Sequence, residues 1–404
     1  MKILQALAKK NMLVALLMGI CSGLPLLLAG KTLQAWMTEA GVDLKTIGLF
    51  ALAGLPYSFK FVWAPLFDRF VPPFLGRRRG WLTVSQAALA LSIGGLAMSN
   101  PQESAWTVAL LAVLVSFFSA SQDIVVDAYR RETLRDDELG MGSAYFIYGY
   151  RIAMYISGAL ALFLADHMEW RQVYLIMAAT MAGGIAVTLF ADEPSIEGAP
   201  PRTLKETVVG PLLEFLQRKG ALEILIFILL YKVGDSMAGN MATPFYLKLG
   251  FSKTEIAAIA KTFGLFSTLG GLFLGGVLIL RLGIGRCLWV FGLLQALSTA
   301  CFAWLSVVGN DPMALALVIA FEDLSGGMGT AAFTAFMAAQ TNKRFTATQY
   351  ALLTSMMAVP RTLISAPTGY LAENLGWTQF FFVCTLAAIP GMLLLLRVAP
   401  WKKP

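Results

Sequence analysis

The amino-acid sequence predicts an all-α membrane protein with twelve transmembrane helices, arranged as two pseudo-symmetric six-helix halves. Three observations favour this fold class: an apolar composition, repeated apolar stretches of spanning length, and an echo between the two halves of the chain. Of the 404 residues, 57% are hydrophobic and 14% are charged, whereas soluble domains contain about 25% charged residues. The shortage of charge indicates that lipid, rather than water, surrounds most of the chain.

The apolar stretches give the predicted spans. A transmembrane helix needs roughly 20 mostly apolar residues, and the first stretch is long enough that we interpret it as a membrane helix, not as a cleaved signal peptide. The predicted spans, numbered 1 to 12, are 11–36, 45–67, 80–98, 106–128, 140–165, 171–191, 221–246, 254–280, 287–307, 313–340, 347–372 and 378–398.

The basic residues between the spans predict the orientation, because lysine and arginine are enriched in cytoplasmic loops. If both termini are cytoplasmic, most basic residues fall on the inner side, including the run from Arg77 to Arg79. The outer segments then contain Lys45, Arg171, Lys248 and Lys253. We therefore predict a multi-pass protein with both termini in the cytoplasm.

A polar segment divides the spans six and six. It predicts an N-terminal six-helix bundle at 1–191, a cytoplasmic linker at 192–220 and a C-terminal six-helix bundle at 221–404. The halves echo each other, because Arg151 in span 5 and Arg361 in span 11 lie at matching depths. Parallel six-span repeats around a midplane site are the architecture of major facilitator transporters.

The loop after span 2 has a specific charge pattern. Asp68 and Arg69 at the end of the span are followed by Gly76 and three arginines, which resembles the loop signature of major facilitator transporters. Asp68 can pair with an arginine or cap a neighbouring helix. We predict an inner gate formed by Asp68, Arg69, Arg77 and Arg130; the alternative is an ordinary positively charged cytoplasmic loop.

Several segments resemble the AmpG-type muropeptide permeases of Gram-negative bacteria, which are related to acetyl-coenzyme A transporters. The resemblance is dense over residues 10–195 and looser in the second half. Longer members of the family carry additional spans, and we expect this chain to be a compact twelve-span version. The segments that carry it are Gly23–Leu28, Leu33–Met37, Ile47–Leu52, Gly54–Tyr57, Lys60–Pro65, Ser119–Arg130 and Gly149–Arg151.

This resemblance, rather than composition or spacing, implies a cargo. It implies import of N-acetylglucosaminyl-1,6-anhydro-N-acetylmuramic acid, with or without its peptide, from the periplasm to the cytoplasm across the bacterial inner membrane. It also implies coupling to the proton gradient, a role in cell-wall recycling and, where β-lactamase is inducible, a role in that induction. Another amphiphilic anion, such as an acyl-coenzyme A, a peptide or a drug, remains the alternative cargo.

Ionisable side chains at membrane depth are costly and are therefore candidates for function. Basic and acidic groups are nearly balanced, so pairing is expected, and those on spans 1, 4, 7 and 10 belong to helices that line the cavity of the major facilitator fold. The basic residues are Lys31, Lys60, Arg151, Lys232, Lys261 and Arg361, and the acidic residues are Asp123, Asp127, Asp235, Glu322 and Asp323.

We predict that Asp123, Asp127 and Glu322 couple transport to protons, with Asp123 the foremost. A carboxylate balanced between burial and a nearby cation can bind and release a proton. Asp127 lies nearer the inner surface beside Arg130, so a structural ion pair is the alternative for it. Glu322 and Asp323 are adjacent and cannot share a helix face.

The predicted substrate site combines cations with side chains that suit sugars. Arg151 and Arg361 can each clasp a carboxylate with two hydrogen bonds, or each can pair permanently with an acidic side chain. Lys232 and Asp235 could simply satisfy each other, and interhelical hydrogen bonds are the alternative for the uncharged residues. The predicted binding residues are Gln34, Tyr57, Lys60, Gln122, Asp123, Tyr150, Arg151, Lys232, Asp235 and Arg361.

Other classes of function find little support. The single histidine and four scattered cysteines form no metal, disulfide or catalytic-triad motif, so we expect no cofactor and no metal. The net charge of +7 comes from short runs between apolar stretches, which argues against a nucleic-acid-binding patch. A membrane enzyme or lipid scramblase remains an alternative of another class. We expect a monomer whose partners are a small-molecule muropeptide, protons and the lipid bilayer.

Overall fold

The computed structural model describes residues 9–42, 46, 50–195, 206, 209–252, 255–363 and 367–401, without the side chains of residues 51, 257 and 358–363. Within these ranges the regular structure is helical and contains no strand. This agrees with the prediction of an all-α protein.

Helices make up most of the described ranges and are numbered in chain order. The α-helices are α1 (Lys10–Leu28), α2 (Lys31–Glu39), α3 (Leu55–Phe59), α4 (Ala64–Arg69), α5 (Arg77–Ala97), α6 (Ala105–Thr133), α7 (Leu139–Tyr155), α8 (Ala161–Ala165), α9 (Trp170–Phe190), α10 (Gly210–Leu216), α11 (Ala221–Leu230), α12 (Val233–Lys248), α13 (Gly264–Leu282), α14 (Ile284–Val308), α15 (Pro312–Ala339), α16 (Thr346–Leu363), α17 (Thr368–Leu375), α18 (Trp377–Ala387) and α19 (Ile389–Val398). The other helical segments are the 3-10 turns Phe50–Gly54 and Lys60–Val62 and the π-helices Ile156–Leu160 and Ile256–Phe263.

Nine helical segments of the described ranges are long and apolar enough to cross a membrane. They are Lys10–Glu39, Arg77–Ala97, Ala105–Thr133, Leu139–Ala165, Trp170–Phe190, Ala258–Leu282, Ile284–Val308, Pro312–Ala339 and Trp377–Val398. The other three predicted spans do not form such a segment in the described ranges. The described part of 45–67 consists of short helical pieces, 221–246 is divided between α11 and α12, and 347–372 includes residues outside the described part. Twelve spans therefore remain a prediction.

The chain forms two compact units. Unit 1 consists of Met1–Leu212 and Thr341–Ser355, and unit 2 consists of Leu213–Gln340 and Met356–Pro404. Each unit has its own buried apolar core. In unit 1 the core includes Leu28, Leu33, Leu89, Ile93 and Tyr174, and in unit 2 it includes Phe245, Phe302, Leu315, Phe380 and Phe381.

Glycine brings two pairs of helices into close backbone contact, one pair in each unit. A Cβ at Gly149 of α7 would lie 1.9 Å from a carbonyl oxygen of α1, and a Cβ at Gly19 of α1 would lie 2.1 Å from a carbonyl oxygen of α7. In unit 2, Gly271 of α13 and Gly327 of α15 meet backbone atoms of each other's helices at 2.1 and 2.4 Å. Membrane helices associate through such small residues because lipid provides no hydrophobic drive between helices.

Three lysines lie where a helix is interrupted. Lys31 follows the break between α1 and α2, Lys60 begins the 3-10 turn after α3, and Lys232 lies between α11 and α12. Interrupted backbone at membrane depth is tolerated where it is buried in protein or lines a cavity. Lys60 and Lys232 are largely buried, whereas Lys31 is exposed. Lys60 and Lys232 are therefore buried cations at helix interruptions, and their surroundings are candidate sites.

Candidate substrate and proton sites

A buried charge network lies at the predicted inner gate, within unit 1. Arg78 donates to Asp68 Oδ1 at 2.8 Å and to the two carboxylate oxygens of Glu132 at 2.6 and 2.9 Å. Arg77 donates to Glu132 at 3.1 Å. These four side chains are at most 3% exposed. Two arginines thus face two carboxylates, and this balance offsets the cost of burying the charges.

Asp68 also caps helix α16. Its Oδ2 accepts hydrogen bonds from the backbone N–H and the hydroxyl of Thr348 at 2.9 and 2.8 Å, and its Oδ1 accepts from the N–H of Ala347 at 3.3 Å. These N–H groups belong to the first turn of α16, where they have no partner within the helix. A carboxylate is also favourable there because of the helix dipole. Asp68 therefore makes both kinds of contact considered from the sequence.

The other two predicted gate residues, Arg69 and Arg130, differ in their surroundings. Arg130 is buried and donates to Asp127 at 3.1 Å and to the Tyr350 hydroxyl at 2.8 Å, and its guanidinium packs 4.7 Å from the ring of Phe146. Arg69 is partly exposed and its guanidinium lies 5.0 Å from the neighbouring phenyl ring. The structure therefore places Asp127 in an ion pair with Arg130, whereas Arg69 forms no ion pair with the described residues of the charge network.

A polar cluster lies further along α6 in unit 1. We call it the Asp123 cluster, and it consists of Ser22, Tyr57, Lys60, Ser119 and Asp123. The charge of Lys60 acts on Asp123, which lies beside the Ser22 hydroxyl, and the buried Tyr57 hydroxyl lies beside that of Ser119. Within the described residues, Ser22 Oγ, Tyr57 OH, Ser119 Oγ and Asp123 Oδ1 are buried without a close hydrogen-bond partner. Buried polar atoms are rarely left unsatisfied, so the cluster has the capacity to bind a polar ligand.

The remaining predicted binding residues of unit 1 lie in varied positions. Gln122 is fully buried and donates at 2.8 Å to a backbone carbonyl of α1, so it joins two helices. Tyr150 is partly buried close to Tyr57, and Gln34 is partly exposed on α2. Arg151 is exposed, and no carboxylate of the described residues forms an ion pair with it. Tyr150 therefore lies close to the Asp123 cluster, and Arg151 offers a positive charge with no ion-pair partner among the described residues.

A second polar cluster lies in unit 2, where α12, α14 and α15 meet. We call it the Glu322 cluster, and it consists of Lys232, Asp235, Gln295, Ser298 and Glu322. Lys232 donates to Asp235 Oδ2 at 3.1 Å and to the side-chain oxygen of Gln295. Ser298 donates to Glu322 Oε2 at 2.6 Å, and the carboxyl groups of Asp235 and Glu322 lie within hydrogen-bonding reach of each other. Lys232 and Asp235 do pair, and Glu322 joins them.

The other ionisable residues of unit 2 lie outside this cluster. Asp323 points to α13, where it accepts a hydrogen bond from the Thr268 hydroxyl at 3.2 Å. Lys261 is exposed. The side chain of Arg361 lies outside the described part of the chain, so its predicted role stays a prediction. Among the described residues, no group of three or more histidine, cysteine, aspartate or glutamate side chains is arranged to hold a metal ion.

Comparison with known proteins places this arrangement in a family. The profile of the Major Facilitator Superfamily matches residues 12–365. The chain is 44% identical over 385 residues to the anhydromuropeptide permease of Escherichia coli (strain K12), an alignment that covers 95% of this chain and 78% of the relative. It is 34% identical to the putative transporter AmpG 4 of Rickettsia conorii, with 94% of both chains covered. The chain belongs to the AmpG-type permeases of the Major Facilitator Superfamily.

A solved structure of low sequence identity shares the fold of this chain. The proton:xylose symporter XylE of the superfamily superposes with a TM-score of 0.71 at 11% identity, over 96% of this chain and 95% of that chain. At this identity the superposition shows the fold alone. Members of the AmpG-type family are permeases, so the chain is a multi-pass membrane transporter of a small molecule and not an enzyme.

Within this AmpG-type permease, sequence reasoning missed the small polar residues of both clusters. It ranked charged residues and passed over Ser22, Ser119, Gln295 and Ser298. Their signal in the sequence is weak: Ser119 precedes Asp123 by four residues, which places both on one face of α6, and Ser22 and Ser298 have no charged neighbour at helical spacing. Glu132 was also missed, although a carboxylate directly after two arginines at the end of an apolar stretch could have indicated it.

Proposed function

We propose that the chain imports anhydromuropeptides, namely N-acetylglucosaminyl-1,6-anhydro-N-acetylmuramic acid with or without its peptide, from the periplasm to the cytoplasm in symport with protons. The 44% identity to the anhydromuropeptide permease over 95% of the chain carries the proposal. Such import would serve cell-wall recycling and, in bacteria with an inducible β-lactamase, its induction.

The proposed topology rests on the apolar stretches of the sequence and on the basic residues between them. The chain crosses the bacterial inner membrane twelve times as a monomer, with both termini in the cytoplasm. Bundles at 1–191 and 221–404 flank a cytoplasmic linker at 192–220. The excess of lysine and arginine in the predicted inner segments supports this orientation.

The Asp123 cluster suits one end of such a substrate. In the sugar-only ligand the lactyl group of muramic acid carries a carboxylate, whereas the peptide-bearing ligand carries its carboxylates on the peptide. Both sugars present hydroxyl groups. Lys60 supplies a buried cation, and the hydroxyls of Tyr57, Ser22 and Ser119 can donate to or accept from sugar hydroxyls. Arg151 supplies a further cation that can clasp a carboxylate with two hydrogen bonds.

Competition for Lys60 would couple the proton to the substrate. Asp127 is neutralised by Arg130 at 3.1 Å, which leaves Lys60 as the partner of Asp123. A proton on Asp123 would release Lys60 to bind the carboxylate of the substrate, and substrate on Lys60 would favour a proton on Asp123. Binding of proton and substrate would therefore be cooperative, which symport requires, since such coupling is reciprocal.

Uptake into proteoliposomes tests this proposal with the sugar-only ligand. We expect wild-type protein to accumulate it and collapse of the proton gradient to stop accumulation. Asparagine resembles a protonated aspartate, so Asp123→Asn should lose at least tenfold in accumulation and keep exchange of labelled for unlabelled ligand. The matched control is Asp166→Asn at an exposed position, which should behave as wild type.

Each alternative has its own outcome. Failure of the wild type to transport the ligand, with uptake of an acyl-coenzyme A or a peptide instead, would refute the cargo. Uptake that survives collapse of the gradient would refute proton coupling. Full accumulation by Asp123→Asn would remove Asp123 from the coupling mechanism.

A further inference from the structure

We propose that the Glu322 cluster of unit 2 holds a proton of its own, so that transport is coupled to two proton-binding sites, one in each unit. The inference rests on the proposed function and deepens it. The Asp123 cluster supplies one site, and the facing carboxyl groups of Asp235 and Glu322 supply the other.

The contact between two carboxyl groups is the first argument. Asp235 on α12 and Glu322 on α15 lie within hydrogen-bonding reach of each other. Two carboxyl groups can form a hydrogen bond when one of them carries a proton, whereas two ionised groups at this separation repel each other strongly. Ser298 holds Glu322 in place from the other side with a 2.6 Å hydrogen bond.

The balance of charge is the second argument. Lys232, 14% exposed, is the cation beside the two carboxyls and donates to Asp235 at 3.1 Å. One bound proton makes this group of three neutral, whereas its loss leaves a net negative charge on two carboxyl groups that are only partly exposed, Asp235 at 31%, which is costly. The titratable groups that face the two carboxyls in the described part of the chain are Lys232, Tyr231, Tyr246, Cys301, Asp323 and Cys384.

A small cavity lies beside Asp235. Tyr231, Asp235, Gln295 and Thr299 supply its polar lining, and it has room for about one water molecule. A water there would touch the Asp235 carboxyl and two or three other polar groups, as buried waters do. The Asp235 side chain is 31% exposed, so its carboxyl group is open to water.

The two clusters differ in whether they hold a proton when no substrate is bound. In unit 1, Lys60 and Arg130 match Asp123 and Asp127, so the empty site is neutral without a proton. In unit 2, Lys232 lies beside the carboxyls of Asp235 and Glu322, and the charge of Asp323 adds to theirs, so the empty site is nearer to neutral with a proton. The proton in unit 2 is therefore bound at rest, and the proton in unit 1 arrives with the substrate.

Infrared spectroscopy of the full-length protein without substrate tests the site independently of the cargo. In the wild type we expect one protonated carboxyl stretching band assigned to the cluster. Glu322→Gln and Asp235→Asn should each abolish this band, because the remaining carboxylate pairs with Lys232. Lys232→Met should double it, because both carboxyls then stay neutral. The neighbouring Asp323→Asn is the matched control and should keep the band.

The outcomes separate the inference from the proposed function. A band that survives in both Glu322→Gln and Asp235→Asn, or one removed by Asp323→Asn, would overturn the site. In transporting proteoliposomes we expect two protons per sugar-only ligand for the wild type and Asp323→Asn, and one for Glu322→Gln. One proton per ligand in the wild type would overturn the two-site coupling even if import of the ligand is established. Absence of transport would refute the function and leave the infrared result to decide the site.

Discussion

At the scale of single residues, burial and pairing distinguish side chains that look alike in the sequence. Asp68 and Arg69 are neighbours, yet Asp68 is fully buried with an arginine and a helix N-terminus as partners, whereas Arg69 is partly exposed. Glu322 and Asp323 are also neighbours, yet they point to α14 and α13. Substitutions of neighbouring residues should therefore have very different effects.

Asp68→Ala should destabilise the protein severely. It removes the cap of α16 and leaves Arg78 with one carboxylate fewer in a fully buried position. Loss of one partner of a buried ion pair costs about 3–5 kcal/mol, so we expect a large fall in the melting temperature measured in detergent. Arg69→Ala is the matched control and should change the unfolding free energy by about 0.5 kcal/mol or less. Similar melting temperatures for the two variants would show that the buried network contributes little.

At the scale of elements, the ends and interruptions of helices place the functional groups. Helix α5 begins directly after Gly76, which has a φ of +86°, and the carboxylate of Glu193 accepts hydrogen bonds from the N–H groups of Arg78 and Arg79 at 2.8 and 2.9 Å. The cap fixes the first turn of α5, and this turn carries the arginines of the charge network. The sharp start of the helix therefore positions Arg77 and Arg78 for Glu132.

Gly76→Ala should disturb this helix start. The backbone conformation is one that L-residues rarely adopt, and the added Cβ would lie 2.6 Å from Glu193 Cδ. We expect a loss of about 1–3 kcal/mol in unfolding free energy, measured by thermal denaturation. Gly94→Ala, in the same helix with nothing within 4 Å of the added Cβ, should leave stability equal or slightly higher. Equal stability of both variants would argue against a strained cap.

At the scale of the whole molecule, hydropathy indicates a membrane protein and loop charge predicts its orientation before any contact is known. Nine segments of the described ranges are long and apolar enough to cross a membrane, and the predicted inner segments hold most of the basic residues. The three remaining predicted spans include the interruptions that carry Lys60 and Lys232. Interrupted helices are common at the binding sites of secondary transporters. The predicted spans that are not continuous apolar helices also carry candidate site residues.

Cysteine labelling should report the predicted orientation. Glu103→Cys lies in the segment between α5 and α6, and Asp136→Cys lies between α6 and α7; both positions are exposed. In intact cells, a membrane-impermeant maleimide should label Glu103→Cys at once and Asp136→Cys only after permeabilisation. The unsubstituted chain gives the background, since three of its four cysteines are buried. Labelling of Asp136→Cys in intact cells would reverse the predicted topology.

The sequence by itself determined the class of protein, the positions of the nine apolar helical segments found in the described ranges, the family and the set of charged residues worth testing. These follow from local composition and from motifs that lie close together along the chain. Only the tertiary structure decided how the charges are shared: Asp127 pairs with Arg130, Lys60 acts on Asp123, Lys232 and Asp235 meet Glu322, and Arg151 has no carboxylate partner in the described part of the chain. The physical reason is that the pairing of two side chains depends on the rotation and crossing of their helices. Hydropathy along one helix does not fix those quantities, whereas glycine contacts and helix caps between distant segments do.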